Sequence, residues 1–253
     1  AENYESATQR LSQRRDAAIL EVYEENGMDG VYRLAEMATY PGQVGFALGA
    51  IDNDKIEKMV LPNGLDTPPP SKSILTSSFD WRKYTDLGWE WVDRTNSSQW
   101  TQPQIGQLLA SLPFNAQTWN RVTPRLGEHE DEYWTRARVM PYKHEGDLSF
   151  AIEMLLKHGR PNAALDCLIQ DLHEKKTIDI PQCMRALLAA ASSDERHGKR
   201  DDYHAIELIR FLQQQMNTPA EELFMVETKY LSLINSRHEI RFVAIESRLA
   251  ADP

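Results

Sequence analysis

From residue 147 onward, apolar positions recur at the spacing of amphipathic helices. The first stripe follows the i, i+3, i+4, i+7, i+8 pattern of a helix that buries one face, and it consists of Leu148, Ala151, Ile152, Leu155 and Leu156. Gly-Arg-Pro then ends this helix and begins a facing stripe. Four more stripes follow in IPQCMRALLAA, DDYHAIELIRFLQQ, TPAEELFMVETKYLSLI and RHEIRFVAIESRLA. We therefore predict six short helices joined by tight turns, a pattern typical of stacked helix pairs.

The N-terminal part has the same helical periodicity in shorter segments. A first helix is predicted from residue 4 to about 26, ending at Asn26-Gly27. A second helix follows Asp29, a third begins at Pro41, and a fourth stops at Pro62. We predict an N-terminal helical bundle over residues 1–64.

The stretch 62–78, PNGLDTPPPSKSILTSS, interrupts this periodicity with four prolines and four serines. Because proline lacks a backbone donor and breaks helices, we expect a linker or surface loop here. We therefore assign residues 65–100 to a linker with a Trp-rich segment, and residues 101–253 to a helical-repeat array. Within the array, Thr101 and Asn115 are expected helix N-caps, and Pro124 should kink or end its helix.

Together these patterns predict an all-α protein. Antiparallel helix pairs would stack as an irregular α-solenoid beside the N-terminal helical bundle. His158-Gly159-Arg160 and His197-Gly198-Lys199 begin thirty-nine residues apart, and an apolar helix follows each. HEAT and armadillo repeats have a period of roughly 40 to 47 residues. A plain helical bundle remains the alternative.

The amino-acid composition indicates which cellular compartment and which classes of binding partner are expected. The formal net charge of −10 disfavours nucleic acid, since nonspecific affinity for phosphates comes from Lys and Arg. No apolar run reaches the length that crosses a bilayer, so we expect no membrane association. Cys167 and Cys183 lie within apolar helical patterns and are expected to be buried free thiols in a cytoplasmic, reducing compartment. The polar N-terminus resembles no secretory signal, and the chain reads as a fragment of a larger multidomain protein.

Catalytic motifs are missing from the sequence. It contains neither GxxxxGK[ST], GxGxxG, HExxH nor GxSxG. The nearest cluster of carboxylates is GEHEDEYW, which we interpret as the acidic start of a helix. We therefore predict a non-catalytic protein with no cofactor, no metal site and no catalytic residue. The alternative is an accessory domain of a hydrolase or nuclease that uses His129, Glu130 or Asp131.

Tryptophan is concentrated in one region of the chain. The six indoles fall within 54 residues and are Trp81, Trp89, Trp91, Trp100, Trp119 and Trp134. They form either a large aromatic core or an exposed binding surface, because Trp, Tyr and Arg dominate interaction hot spots. The candidate binding residues are Trp81, Arg82, Lys83, Trp89, Trp91 and Trp100. Arg82, Lys83 and the indoles would also suit stacking on nucleic-acid bases, which we keep as an unfavoured alternative.

Two segments resemble known helical proteins. GRPNAALDCL resembles the turn and second helix of a tetratricopeptide repeat. Residues 103–253, through LPFNAQTWNRV and LLKHGRPNAALDCL, are similar to helical regions near the C-termini of long, uncharacterised bacterial proteins. This resemblance implies a scaffolding or sensor-like module and transfers no catalytic residue. We therefore expect an interaction module that binds a protein partner or another copy of itself, through a concave helical face or the Trp-rich segment.

Overall fold

The computed structural model describes residues 4–66, 70–143, 146–193, 202–233 and 240–251. These residues form 13 α-helices and three short 3-10 helices, and none of them lies in a β-strand. The all-α prediction is therefore confirmed. The chain divides into two compact units, unit 1 (Ala1–Arg138) and unit 2 (Val139–Pro253), whereas the sequence suggested breaks at 64 and 100.

The described part of unit 1 contains seven α-helices. They are α1 (Tyr4–Met37), α2 (Pro41–Gly49), α3 (Asp54–Val60), α4 (Pro70–Arg94), α5 (Gln102–Ala110), α6 (Ala116–Leu126) and α7 (Asp131–Trp134). Helix α2 packs against both α1 and α4. The approach of α2 to α4 is close, because a Cβ added at Gly45 would lie 1.9 Å from the Leu75 carbonyl oxygen. Glycine at this position lets the two backbones meet.

Much of the segment that was expected to be a linker belongs to helix α4. The stretch 62–78 was expected to be non-helical, and this is wrong from Pro70 onward, where α4 begins. Pro70 occupies the first helical position, where the missing backbone N–H has no intrahelical partner to lose. Leu75 and Phe79, one helical turn apart, are completely buried. Their burial in unit 1 outweighs the weak helix propensity of the serines around them.

Local signals at helix ends agree with the structure. The predicted end at Asn26-Gly27 corresponds to a kink inside α1, where Gly27 has φ 62°. Thr101 caps α5 in a capping box with Gln104, and Asn115 caps α6 by accepting from Thr118 N at 3.1 Å. Helix α6 ends two residues after Pro124, at Leu126. The helix expected from GEHEDEYW is shorter than predicted, since α7 has four residues.

Unit 2 confirms the six predicted helices. They are α8 (Ser149–Lys157), α9 (Pro161–His173), α10 (Ile180–Ala191), α11 (Asp202–Gln214), α12 (Ala220–Leu231) and α13 (Val243–Ala251). Helix α9 packs against α8, α10 and α11, and α12 packs against α10, α11 and α13. The second copy of the proposed repeat turn, 197–199, lies outside the described residues.

Both cysteines are free and buried within unit 2, as predicted. Burial raises the pKa of the Cys183 thiol to about 12, and it raises the pKa of Cys167 as well. The thiols are therefore protonated and pack as small apolar groups. Among the described residues, none of the helices combines the length and apolar composition that crossing a bilayer requires.

Candidate functional site

The six indoles of unit 1 divide into two groups. Trp91, Trp119 and Trp134 are buried, with exposed fractions of 0%, 4% and 1%. Trp81, Trp89 and Trp100 are partly exposed. Core and surface roles, which the sequence left as alternatives, therefore belong to different tryptophans.

Two of the buried indoles belong to an aromatic core. The ring centroids of Phe114 and Trp119 are 5.0 Å apart in an edge-to-face arrangement, and Trp134 meets Tyr133 in the same way at 4.9 Å. Trp119 and Trp134 are 6.3 Å apart. Such pairs add to the stabilisation from burial. These rings hold α6 and α7 in place and are not available to a partner.

Three partly exposed aromatic rings of α4 and two polar side chains of α6 form one continuous feature. We call it the aromatic surface: Trp81, Tyr84, Trp89, Gln117 and Arg121. Trp89 is its centre. Its Nε1 donates to Gln117 Oε1 at 2.9 Å, and the guanidinium carbon of Arg121 lies 4.0 Å from its ring centroid. The Tyr84 ring meets Trp89 edge-on at 5.4 Å, and Trp81 lies 6.4 Å from Tyr84.

The groups of the aromatic surface also fix one another. Arg121 Nη1 donates to the Gln117 carbonyl at 3.1 Å, which holds the guanidinium over the indole. Burial raises the pKa of Tyr84, although Arg121 and a hydrogen bond with Trp89 partly offset this rise. The phenol is therefore neutral at physiological pH. A partner would meet side chains that are already ordered, which lowers the entropy cost of binding.

The remaining α4 residues expected in the binding site have other roles. Arg82 Nε donates to Asp86 at 2.6 Å, and its Nη2 lies 3.5 Å from Asp16 of α1. Lys83 is 4% exposed, and its Nζ donates to the Ile51 carbonyl at 3.0 Å. Because α4 buries one face, Lys83 and Trp91 point into unit 1. Lys83 and Trp91 were predicted from the sequence as binding residues, but they are buried and not part of the surface.

Trp100 lies in a separate cleft of about 620 Å³ in unit 1. We call it the polar cleft. Its charged and polar lining consists of Asp54, Glu57 and Lys58 of α3, Arg94 at the end of α4, and Thr95 and Asn96. Trp100 was a candidate from the sequence, whereas the other side chains of the cleft were not. The i, i+3, i+4 spacing of Asp54, Glu57 and Lys58 puts them on one helix face, a pattern that ordinary solvent-facing helices share.

The acidic stretch before α7 has structural partners. Glu130 Oε2 accepts from Thr123 Oγ1 at 3.2 Å, and Glu132 forms an ion pair with Arg136. His129 and Asp131 are exposed. Acidic groups at a helix start interact favourably with the helix dipole, which explains their position. Among the residues that the structure describes, no group of three or more His, Cys, Asp or Glu side chains is placed to hold a metal ion.

Unit 2 carries a polar cluster that was not predicted from the sequence. His173 Nε2 of α9 lies 3.0 Å from Glu207 Oε2 of α11, and the Tyr203 hydroxyl donates to Glu207 Oε1 at 2.7 Å. His204 Nδ1 lies 3.0 Å from Asp166 Oδ1. Burial raises the pKa of Glu207, but the hydrogen bonds with Tyr203 and His173 and the electrostatic effect of His173 and His204 together outweigh it and lower the pKa overall. The cluster joins α9 to α11.

Comparison with known proteins adds no relative. No protein-family model, curated protein or solved structure matches the chain. The functional inference therefore depends on the physical features of the described residues, chiefly the aromatic surface and the polar cleft.

Proposed function

We propose that the chain is a non-catalytic helical interaction module that binds a protein partner, or a second copy of itself, through the aromatic surface. One observation carries this proposal: Trp89 is partly exposed, yet it is held by Gln117, Arg121 and Tyr84. Trp, Tyr and Arg are the residues most enriched in binding hot spots. Here all three types lie together on one surface in a fixed arrangement.

Trp89 combines partial exposure to water with a fixed side-chain position. A partly exposed indole leaves apolar area in contact with water, and covering that area is favourable by about 25 cal/mol per Å². Ordering flexible side chains at an interface costs about 0.5–1.5 kcal/mol each. The hydrogen bonds and ring contacts of Trp89 and Arg121 reduce that cost before a partner arrives.

The proposed architecture of unit 2 is a scaffold of stacked helix pairs. In unit 2, α9 packs on both α10 and α11, and α10 packs on α12. Each of these helices thus contacts the helix two positions further along the chain, and α9 also contacts the helix that directly follows it. This pattern supports antiparallel pairs stacked as an irregular α-solenoid. The buried, protonated thiols are compatible with a reducing cytoplasm. A place within a larger bacterial protein remains part of the proposal and rests on the sequence pattern of residues 103–253 alone.

Selection from random peptides tests this function, because it requires no named partner. Random peptides displayed on phage are selected against the purified chain, and the enriched peptides are measured by fluorescence anisotropy. Sedimentation velocity over a concentration series measures self-association in parallel. We expect Trp89→Ala and Arg121→Gln each to weaken the resulting interaction at least about tenfold, the loss typical of a hot-spot residue.

The control variant is Tyr40→Ala, which removes an exposed aromatic ring of unit 1 that lies outside the aromatic surface. It should bind as the unchanged chain does. Two results would overturn the proposal: peptides or dimers that are insensitive to Trp89→Ala and Arg121→Gln, or a chain that stays monomeric and enriches no peptide. Affinity for DNA or RNA that falls steeply with salt would favour the nucleic-acid alternative instead.

A further inference from the structure

The polar cleft is built from one face of a helix and the chain segment opposite. Asp54, Glu57, Lys58 and Leu61 line one wall at i, i+3, i+4 and i+7 along α3 and the turn after it. The other wall is the 94–100 segment, which follows from the end of α4. The cleft volume of about 620 Å³ is within the range of roughly 300–1,000 Å³ that is usual for small-molecule sites. The cleft is therefore large enough for an organic ligand.

The charges in the polar cleft have no partners among the described side chains. Asp54, Glu57, Lys58 and Arg94 make neither a hydrogen bond nor an ion pair with any other described side chain. Arg125, at the nearby surface of unit 1, is by contrast paired with Asp93 at 2.6 Å. Two carboxylates and two cations thus line one cleft without neutralising one another, and their charges are available to a ligand.

The aromatic and amide groups of the cleft add to this pattern. Trp100 is partly exposed within the lining. Asn96 Oδ1 accepts from the backbone N–H of Ser98 at 3.2 Å and from its hydroxyl at 2.8 Å. These bonds orient the Asn96 side chain and leave its amide N–H groups as donors. The cleft therefore offers an apolar ring, amide donors and charges of both signs.

We propose that the polar cleft binds a short free peptide in its zwitterionic form. Arg94 binds the terminal carboxylate, since a guanidinium matches a carboxylate in a bidentate geometry. Asp54 and Glu57 bind the terminal ammonium group, and an apolar side chain packs on the Trp100 ring. Asn96 donates to the ligand's carbonyl or carboxylate oxygen.

The balance of charges selects this ligand class over others. A phosphate-rich ligand would meet repulsion from Asp54 and Glu57, and a polyamine would meet repulsion from Lys58 and Arg94. A molecule with one positive and one negative end satisfies both pairs. The site is separate from the aromatic surface, so the proposal goes beyond the proposed function and does not depend on it.

The probes are the complete set of unmodified dipeptides, tested on the full chain. Ligand binding to the folded state raises the melting temperature, which screens the set, and isothermal titration calorimetry then gives dissociation constants. For dipeptides that bind, the N-acetylated and the C-amidated forms should each bind at least about tenfold more weakly, as loss of a charge-assisted hydrogen bond predicts.

Matched variants separate the two ends of the ligand. Arg94→Gln should weaken binding about tenfold and should no longer distinguish the free acid from the C-amide. Glu57→Gln should in the same way reduce the preference for a free amine. The controls Arg33→Gln and Glu36→Gln change exposed groups of unit 1 that lie outside the cleft, and they should leave affinity unchanged. Arg94→Lys retains the charge and should bind better than Arg94→Gln, which identifies a loss caused by charge rather than misfolding.

Three outcomes would overturn the proposal. The first is that no dipeptide binds at millimolar concentration. The second is that the blocked peptides bind as well as the free ones, so that the terminal charges are not read. The third is that Arg94→Gln and its control Arg33→Gln behave alike, which would place the binding elsewhere.

Discussion

The buried carboxyl group of Asp80 should make the free energy of unfolding of unit 1 depend on pH. Its side chain, on α4, is completely buried, and so are both carboxyl oxygens. Burial raises the pKa of Asp80 well above its ordinary value of 3.8. The Ser111 hydroxyl partly offsets this rise, and the charge of Glu57 adds to it. The folded protein therefore keeps a proton on Asp80 over a pH range in which the unfolded chain has lost it.

The sign of the effect follows from proton binding. Between the two pKa values the folded state binds one proton more than the unfolded state, so the free energy of unfolding falls as pH rises. The slope is about 1.4 kcal/mol per pH unit. It begins near the ordinary pKa of aspartate and ends at the raised pKa of the folded state. Asp80→Asn keeps the shape of the side chain but removes the titrating proton, and with it this slope.

Urea unfolding followed by tryptophan fluorescence measures this effect in unit 1. All six indoles lie between residues 81 and 134 and therefore within unit 1. From about pH 4 upward, the free energy of unfolding of Asp80→Asn should increase relative to the unchanged chain by about 1.4 kcal/mol per pH unit, until the folded pKa is reached. The stability difference should then stay constant.

The matched control is Asp52→Asn, an exposed aspartate of the same unit. Its pH profile should run parallel to that of the unchanged chain. If the profile of Asp80→Asn also runs parallel across the whole range, Asp80 is ionised in the folded state. The reasoning from its burial would then be refuted.

Two further substitutions test the packing in each unit. Gly45→Ala should destabilise unit 1 by about 1–3 kcal/mol in urea, because the new methyl group would meet a backbone carbonyl of α4 at 1.9 Å. Gly42→Ala, which meets the Ser78 hydroxyl, should cost less, and equal losses would refute this view. In unit 2, Glu227→Ala should increase amide hydrogen exchange over residues 243–251, since the buried Glu227 carboxylate accepts from Ile245 N at 3.0 Å. Unchanged exchange would contradict that role.

Part of the candidate site was visible in the sequence. The concentration of indoles drew attention to residues 81–134, and within that stretch Trp81, Trp89 and Trp100 are partly exposed. Gln117 and Arg121 were missed because they come from α6, 28 or more residues after Trp89. Arg94 and Glu57 of the polar cleft were missed for the same reason. Contacts between distant segments leave no local signal in the chain.

Features that depend on near neighbours along the chain could be predicted from the residue pattern alone. The spacing of apolar residues predicted the helices of unit 2. Thr101 and Asn115 were predicted as caps from their residue type and position, and each accepts a hydrogen bond from a backbone N–H within the first turn of its helix. These interactions join residues three or four positions apart. Such interactions can therefore be predicted from the sequence without knowledge of the fold.

Which faces of the helices are covered depends on tertiary packing. Arg82 and Lys83 are adjacent in sequence, yet Arg82 pairs with two aspartates while Lys83 is buried against Ile51. The serine- and proline-rich start of α4 is helical because Leu75 and Phe79 are buried against other segments of unit 1. Burial depends on contacts between segments far apart in the chain, and the free energy of that packing exceeds local propensity.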